Sequence, residues 1–220
     1  MFDPTVTQMI LNGIGETVYM TLVSTFFGYL LGLPMGIELA VSDKDGIRPN
    51  ALEYKILDVI DNILRSVPFL ILLVLIIPLT RFIIGKSYGS TATIVPLTIS
   101  AAPFIARMVE SSLKEVDPGV VEAAKSMGAS NWTIISKVLV TEARTSLING
   151  MTIALGTILG YSAMAGSVGG GGLGSIAIQY GYYRYQFGIM IVTVILLVAM
   201  QQVFQTVGMK FSNHLDRRKN

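Results

Sequence analysis

The chain has 220 residues, of which 52% are hydrophobic and only 14% charged, whereas a soluble domain carries about 25% charged residues. A domain of this size leaves much of its surface in water, so such an apolar composition excludes an ordinary soluble fold and calls for lipid. The net charge of +2 is too small for a nucleic-acid surface, and the absence of cysteine excludes disulfides, thiolate nucleophiles and cysteine-held metals.

A helix needs about 20 largely apolar residues to cross the hydrocarbon core. Five stretches meet this, which predicts an all-α integral membrane protein forming a single transmembrane domain over 1–220. The opening MFDPTVTQ lacks the basic flank of a cleavable leader, so targeting is expected to rest on the first span. That span runs over 14–40 and carries Gly28, Gly32 and Gly36 four residues apart, a bare stripe against which another helix can pack closely.

The second span is expected over 56–84, densest at VPFLILLVLIIPL. Asp61 and Arg65, four apart near its start, are spaced to pair. Asp58 and Asp61 resemble a carboxylate pair, but no nucleophile or metal cluster accompanies them, and nothing supports an embedded hydrolase. The third span, over 92–113, is interrupted by Pro96, Pro103 and Arg107, and Arg107 is spaced to pair with Glu110. Proline inside a spanning helix is tolerated where neighbours re-satisfy the freed carbonyls, so Pro34, Pro68, Pro78, Pro96 and Pro103 predict kinked helices facing protein. The fourth and fifth spans are expected over 147–165 and 187–211.

Between the third and fourth spans lies the most informative stretch, 114–145. Asp117 before Pro118 is a helix start, VVEAAKSM continues it, and Gly128 stops it as a left-handed cap. Ser130 or Asn131 then caps a second helix, WTIISKVLV. The result is a helix–turn–helix elbow, with the small Ala123 and Ala124 on its first arm suited to close docking into a partner's groove.

Basic residues set the topology. Lys44, Arg48 and Lys55 fall in the first loop; Lys114, Lys125, Lys137 and Arg144 in the elbow segment; Lys210, Arg217, Arg218 and Lys219 in the tail, beside the lone His214. The other side has only Arg81, Lys86 and Arg184. The positive-inside rule then puts the elbow and C-terminus in the cytoplasm and the N-terminus outside.

EAAKSMG, followed by nine residues and VLVT, resembles the E-A-A-x3-G-x9-I-x-L-P motif of the permease subunits of bacterial ATP-binding-cassette importers. Glu122, Ala123, Ala124 and Gly128 match, Val138 and Val140 replace Ile and Leu, and Thr141 stands where the family has proline. RSVPFLILL, AAPFIARMVESSLKEVDPGVVEAAKSMGAS and GYSAMAGSVGGGGLGSIAIQYGYYRY are similar to the methionine-type subgroup of these permeases.

The resemblance implies a type I importer permease in the bacterial inner membrane, transporting an amino acid, methionine by its subgroup. Two copies would form the pathway, two cytoplasmic ATP-binding subunits would dock below, and an extracytoplasmic binding protein would deliver the substrate. Glu122, Ala123, Ala124 and Gly128 would lie in the coupling helix. The chain would have no catalytic site, metal or cofactor of its own, ATP and magnesium being held by the partner ATPase.

The run GSVGGGGLG formally fits G-x-G-x-x-G at Gly169, Gly171 and Gly174, but it follows a membrane helix rather than a strand and no acidic residue follows before Asp216. It is read as a loop or gate element on the outer side, together with Ser162 and with Met164 as a plug at the dimer axis. The aromatics of QYGYYRYQF suit an interfacial belt. The competing function is a secondary transporter or channel subunit independent of ATP, but no internal repeat of the kind such folds carry is evident.

Overall fold

The computed structural model describes residues 4–215; the basic tail residues Arg217, Arg218 and Lys219 lie outside them. Eleven α-helices and three short π or 3-10 segments follow one another, with no strand among the described residues. Among the described residues, four helical runs are long and apolar enough to cross a membrane: Pro4–Ser42, Ser90–Lys114, Arg144–Tyr182 and Phe187–His214.

Helix α1 (Pro4–Ser42) begins ten residues before the expected 14 and is about 58 Å long at 1.5 Å per residue. Its main partner is α5 (Ser90–Lys114). The stripe of Gly28, Gly32 and Gly36 finds that partner within the same chain: a Cβ on Gly32 would lie 2.5 Å from the Ala102 carbonyl oxygen, and one on Gly36 would overlap the Ala106 carbonyl oxygen. Toward the N-terminus the same face continues as Thr17, Thr21 and Thr25. Each hydroxyl donates to the carbonyl four residues back, at 2.7, 2.8 and 2.7 Å, so these side chains are buried without an unsatisfied polar atom. α5 is the most enclosed of the four runs, and its Pro96 and Pro103 are both buried.

The single helix expected over 56–84 is not formed. α2 (Ala51–Ser66) ends where Val67 turns extended ahead of Pro68, the conformation that a following proline favours. α3 (Phe69–Leu75) and α4 (Ile77–Ile84) then meet at Ile76 (φ −96°, ψ 13°), with Pro78 in the first turn of α4. α2 bears most of the charges, and α3–α4, with Arg81 as its one charged residue, is the apolar part. Together α3 and α4 provide about 24 Å of bent helix, against a hydrocarbon core of about 30 Å.

The elbow follows as α6 (Pro118–Ser126), α7 (Asn131–Thr133), a π-wound stretch Ile134–Leu139 and α8 (Val140–Glu142). α9 (Arg144–Ala165) returns through the layer. A 3-10 turn, α10 (Gly172–Ile176) and a π segment Ala177–Tyr182 form the far end, and α11 (Phe187–Leu215) closes the chain. Met20, Leu97, Ile105, Val109 and Ile158 lie at the centre of the larger core cluster.

Candidate functional site

The elbow is built by local chemistry. The Asp117 carboxylate accepts from the Gly119 amide at 2.7 Å, with Pro118 in the first turn of α6. At the other end Gly128 takes φ +77°, a conformation that costs a residue with a Cβ roughly 1–2 kcal/mol. Its amide donates to Lys125, and that of Ala129 to Ala124. Ser130 caps the next helix by accepting from the Thr133 amide at 3.3 Å. The bend back toward α9 falls at Ala143 (φ −78°, ψ −2°), two residues beyond Thr141.

One side of the elbow is anchored and the other is open. Ala124 is 5% exposed and packs with Ile134 and Leu139. Glu122, Ala123 and Gly128 face outward, flanked by Met127 at 81% and Trp132 at 75% exposure. The four motif residues therefore divide: Ala124 fixes α6 to the second arm, while the other three lie on a surface with an apolar rim.

A charge network joins α2, the first loop and the part of α5 that leads into the elbow. Arg107 on α5 bonds Asp58, Asp61 at 3.0 Å and Glu110 at 2.8 Å, and Arg65 reaches Asp61 at 3.1 Å. Both pairs anticipated from spacing are present, Asp61 with Arg65 and Arg107 with Glu110. The bonds from Arg107 to α2, some 46 and 49 residues away in sequence, carried no local signal. Lys114 continues the chain of charges to Glu110 and to Asp43 in the first loop, each at 2.7 Å, and lies 5.4 Å from the centre of the Tyr54 ring. Its hydrogen bond holds the Asp43 carboxyl below the usual carboxylate range, against an opposing effect of burial. α2 and the first loop are thus locked to the C-terminal end of α5, from which the elbow begins.

The glycine-rich segment lies at the opposite end of α9. Ser162 is buried and donates to the Leu159 carbonyl at 2.7 Å, whereas Met164 is 49% exposed. Gly169 and Gly171 sit at φ +82° and +85°. Gly174 rests on the Ala163 backbone with no room for a Cβ. The segment is stitched to its neighbours: the Gly89 amide donates to Gly169 at 2.9 Å, and the Thr93 hydroxyl to Gly170 at 3.1 Å. Glu16 on α1 accepts from the Gly172 amide at 2.6 Å, and the Thr17 hydroxyl oxygen from the Leu173 amide at 2.9 Å. Glu16 was not among the residues expected from sequence; at 156 positions' separation, only a carboxylate placed in an apolar first span hinted at it. Among the described residues, no cluster of His, Cys, Asp and Glu is arranged to hold a metal.

The family model for the binding-protein-dependent transport system inner membrane component matches residues 9–220. The probable D-methionine transport system permease protein MetI of Vibrio cholerae is 47% identical over 211 residues, covering 96% of this chain and 94% of that protein. The D-methionine transport system permease protein MetI of Escherichia coli K12 is 51% identical over 158 residues, 72% of this chain and 73% of that protein. A chain of the solved MetNI methionine ABC transporter, in an inward-facing conformation, superposes with a TM-score of 0.97 at 46% identity, covering 98% of this chain and all of that one. An amino acid ABC transporter structure at 22% identity and a TM-score of 0.78 shares the fold.

Proposed function

Because the chain belongs to the binding-protein-dependent transport system inner membrane component family, we propose that it is the permease subunit of an ATP-driven methionine importer, working as a dimer over two cytoplasmic ATP-binding subunits. The observation that carries this reading is the superposition on a chain of the MetNI methionine ABC transporter over 98% of this chain at 46% identity. Its relatives named as D-methionine permeases support the substrate class.

In this reading the elbow is the coupling helix. Its exposed Glu122, Ala123 and Gly128, rimmed by Met127 and Trp132, enter a groove on the ATPase. The Arg107–Lys114 network and the buried Ala124 pass any displacement of that groove to α5 and α2. Alternating access then follows as a shift between two packed arrangements, biased by ATP. ATP and magnesium belong to the partner subunit. The N-terminus lies outside and the C-terminus in the cytoplasm, as the distribution of basic residues favours. An extracytoplasmic binding protein delivers substrate to the outer end, where Ser162, Met164 and the Gly169–Gly171–Gly174 segment form the gate.

The test is to solubilise the complex in mild detergent and assay for a co-purifying ATPase, comparing wild type with Gly128→Pro and Glu122→Arg. Wild type is expected to bring an ATPase with it, and the elbow variants to lose it or to hydrolyse ATP without uptake. A wild-type chain that binds no ATPase and transports on an ion gradient alone would mark a secondary transporter and overturn the proposal.

A further inference from the structure

α9 and α11 cross where each offers a glycine to a polar side chain of the other. The Gln201 amide lies against Gly156, and Thr152 packs on Gly208 so closely that Gly208 has no room for a Cβ. Beside this crossing runs an open groove of about 670 Å³. Asn149, Thr152 and Thr157 of α9 line one side, and Gln201 and Gln205 of α11 the other, with Ile153 and Met209 as apolar walls. On α9 the spacing is that of one helix face, and on α11 Gln201, Gln205 and Met209 recur every four residues. No Asp, Glu, Lys or Arg lines the groove.

Two long membrane-crossing helices thus devote a face to five uncharged hydrogen-bonding side chains. Against hydrocarbon, each unpaired amide costs several kcal/mol. Gln201 already has its Oε1 buried without a hydrogen-bond partner among the described residues. Such a face is suited to water and polar solutes. The volume lies within the roughly 300–1,000 Å³ of small-molecule sites.

We propose that this groove is a water-facing wall of the translocation pathway and a contact site for a zwitterionic amino acid with an unbranched apolar side chain. An amide both donates and accepts, so Asn149, Gln201 and Gln205 serve the solute's ammonium and its carboxylate alike. The lack of a charged lining residue disfavours net-charged solutes, whose charge would go unpaired. Ile153 and Met209 receive the apolar side chain. This rests on the importer reading and adds where in the spans the solute is held.

The chain has no cysteine, so single thiols report on the groove directly. Gln205→Cys and Thr157→Cys, with Val198→Cys on the exposed apolar side of α11 as control, are prepared in the complex with the ATPase in membrane vesicles. The cytoplasmic face is then treated with a charged, membrane-impermeant thiol reagent, and labelling is read on this chain. A thiol in lipid stays protonated and unreactive, so both groove positions should label about tenfold faster than residue 198 or more. Methionine at saturating concentration should slow them several-fold while leaving residue 198 unchanged. Groove thiols labelling as slowly as the control would overturn the proposal, as would labelling that methionine does not alter. ATPase co-purification with the wild-type chain reports the importer reading separately, so failure of either stands apart from failure of the other.

Discussion

Arg107 serves three carboxylates with one guanidinium, and of these the Asp61 carboxylate is fully buried. The fork geometry of arginine makes this arrangement workable, since its several N–H groups diverge in one plane. Removing the cation leaves a buried carboxylate dependent on Arg65 alone. Arg107→Leu is expected to cost about 3–5 kcal/mol, read as a large drop in the thermal midpoint of the detergent-solubilised chain, while Arg107→Lys recovers part of the loss. A midpoint unchanged in the leucine variant would show that the carboxylates are relieved by water instead. The same residues show the limit of local reading: spacing revealed the partners three and four positions away, but the bonds from α5 to α2 depend on tertiary packing. Glu16 shows it more sharply, since its amide partner on Gly172 is brought near only when α10 packs on α1.

Helix α1 is held to α5 by an absence of side chains. Where Gly36 faces the Ala106 carbonyl oxygen, a larger residue would push the helices apart along their whole line of contact. Gly36→Val should destabilise the chain by about 1–3 kcal/mol, whereas Gly15→Ala, on a part of the same helix with open space around it, should be neutral or stabilise by up to about 1 kcal/mol. Thermal unfolding of the two variants compares them directly, and equal effects would deny that the stripe is a contact. The stripe was evident in the sequence because a four-residue repeat is a helix-face signal; which helix it served was not. The elbow was the most legible element, because Asp117, Pro118, Gly128 and Ser130 act on backbone groups within three residues of themselves. The apolar run over 56–84 misled for the opposite reason. Summed hydrophobicity reads through Pro68 and Pro78; expected only to kink this span, they divide it into separate helices.

Across the whole molecule the elbow and the glycine-rich segment lie at opposite ends of α9, with α5 running beside both. A displacement entering at the elbow reaches the far end through these helices rather than through loops. Met164 is half exposed in the single chain. If it closes the pathway, Met164→Ala should raise ATP hydrolysis without uptake, or let substrate leak down its gradient in reconstituted vesicles; unchanged values in both assays would remove Met164 from the gate. The Gly169–Gly172 turn, tied to α1 through Glu16 and to α5 through Gly89 and Thr93, would move as part of that end of the bundle.

The threonines of α1 bear on how the protein is made. α1 leaves the ribosome long before its partner: at about 5–20 residues per second, the 72 residues from Ser42 to Lys114 take roughly 4–14 s to add. Through that interval the Gly–Thr face has no α5 to lie against. Because Thr17, Thr21 and Thr25 already donate to carbonyls of their own helix, the newly made segment can wait in lipid with those hydroxyls satisfied. The final docking then exchanges lipid tails for Ala102, Ile105 and Ala106, and breaks no polar contact to do so.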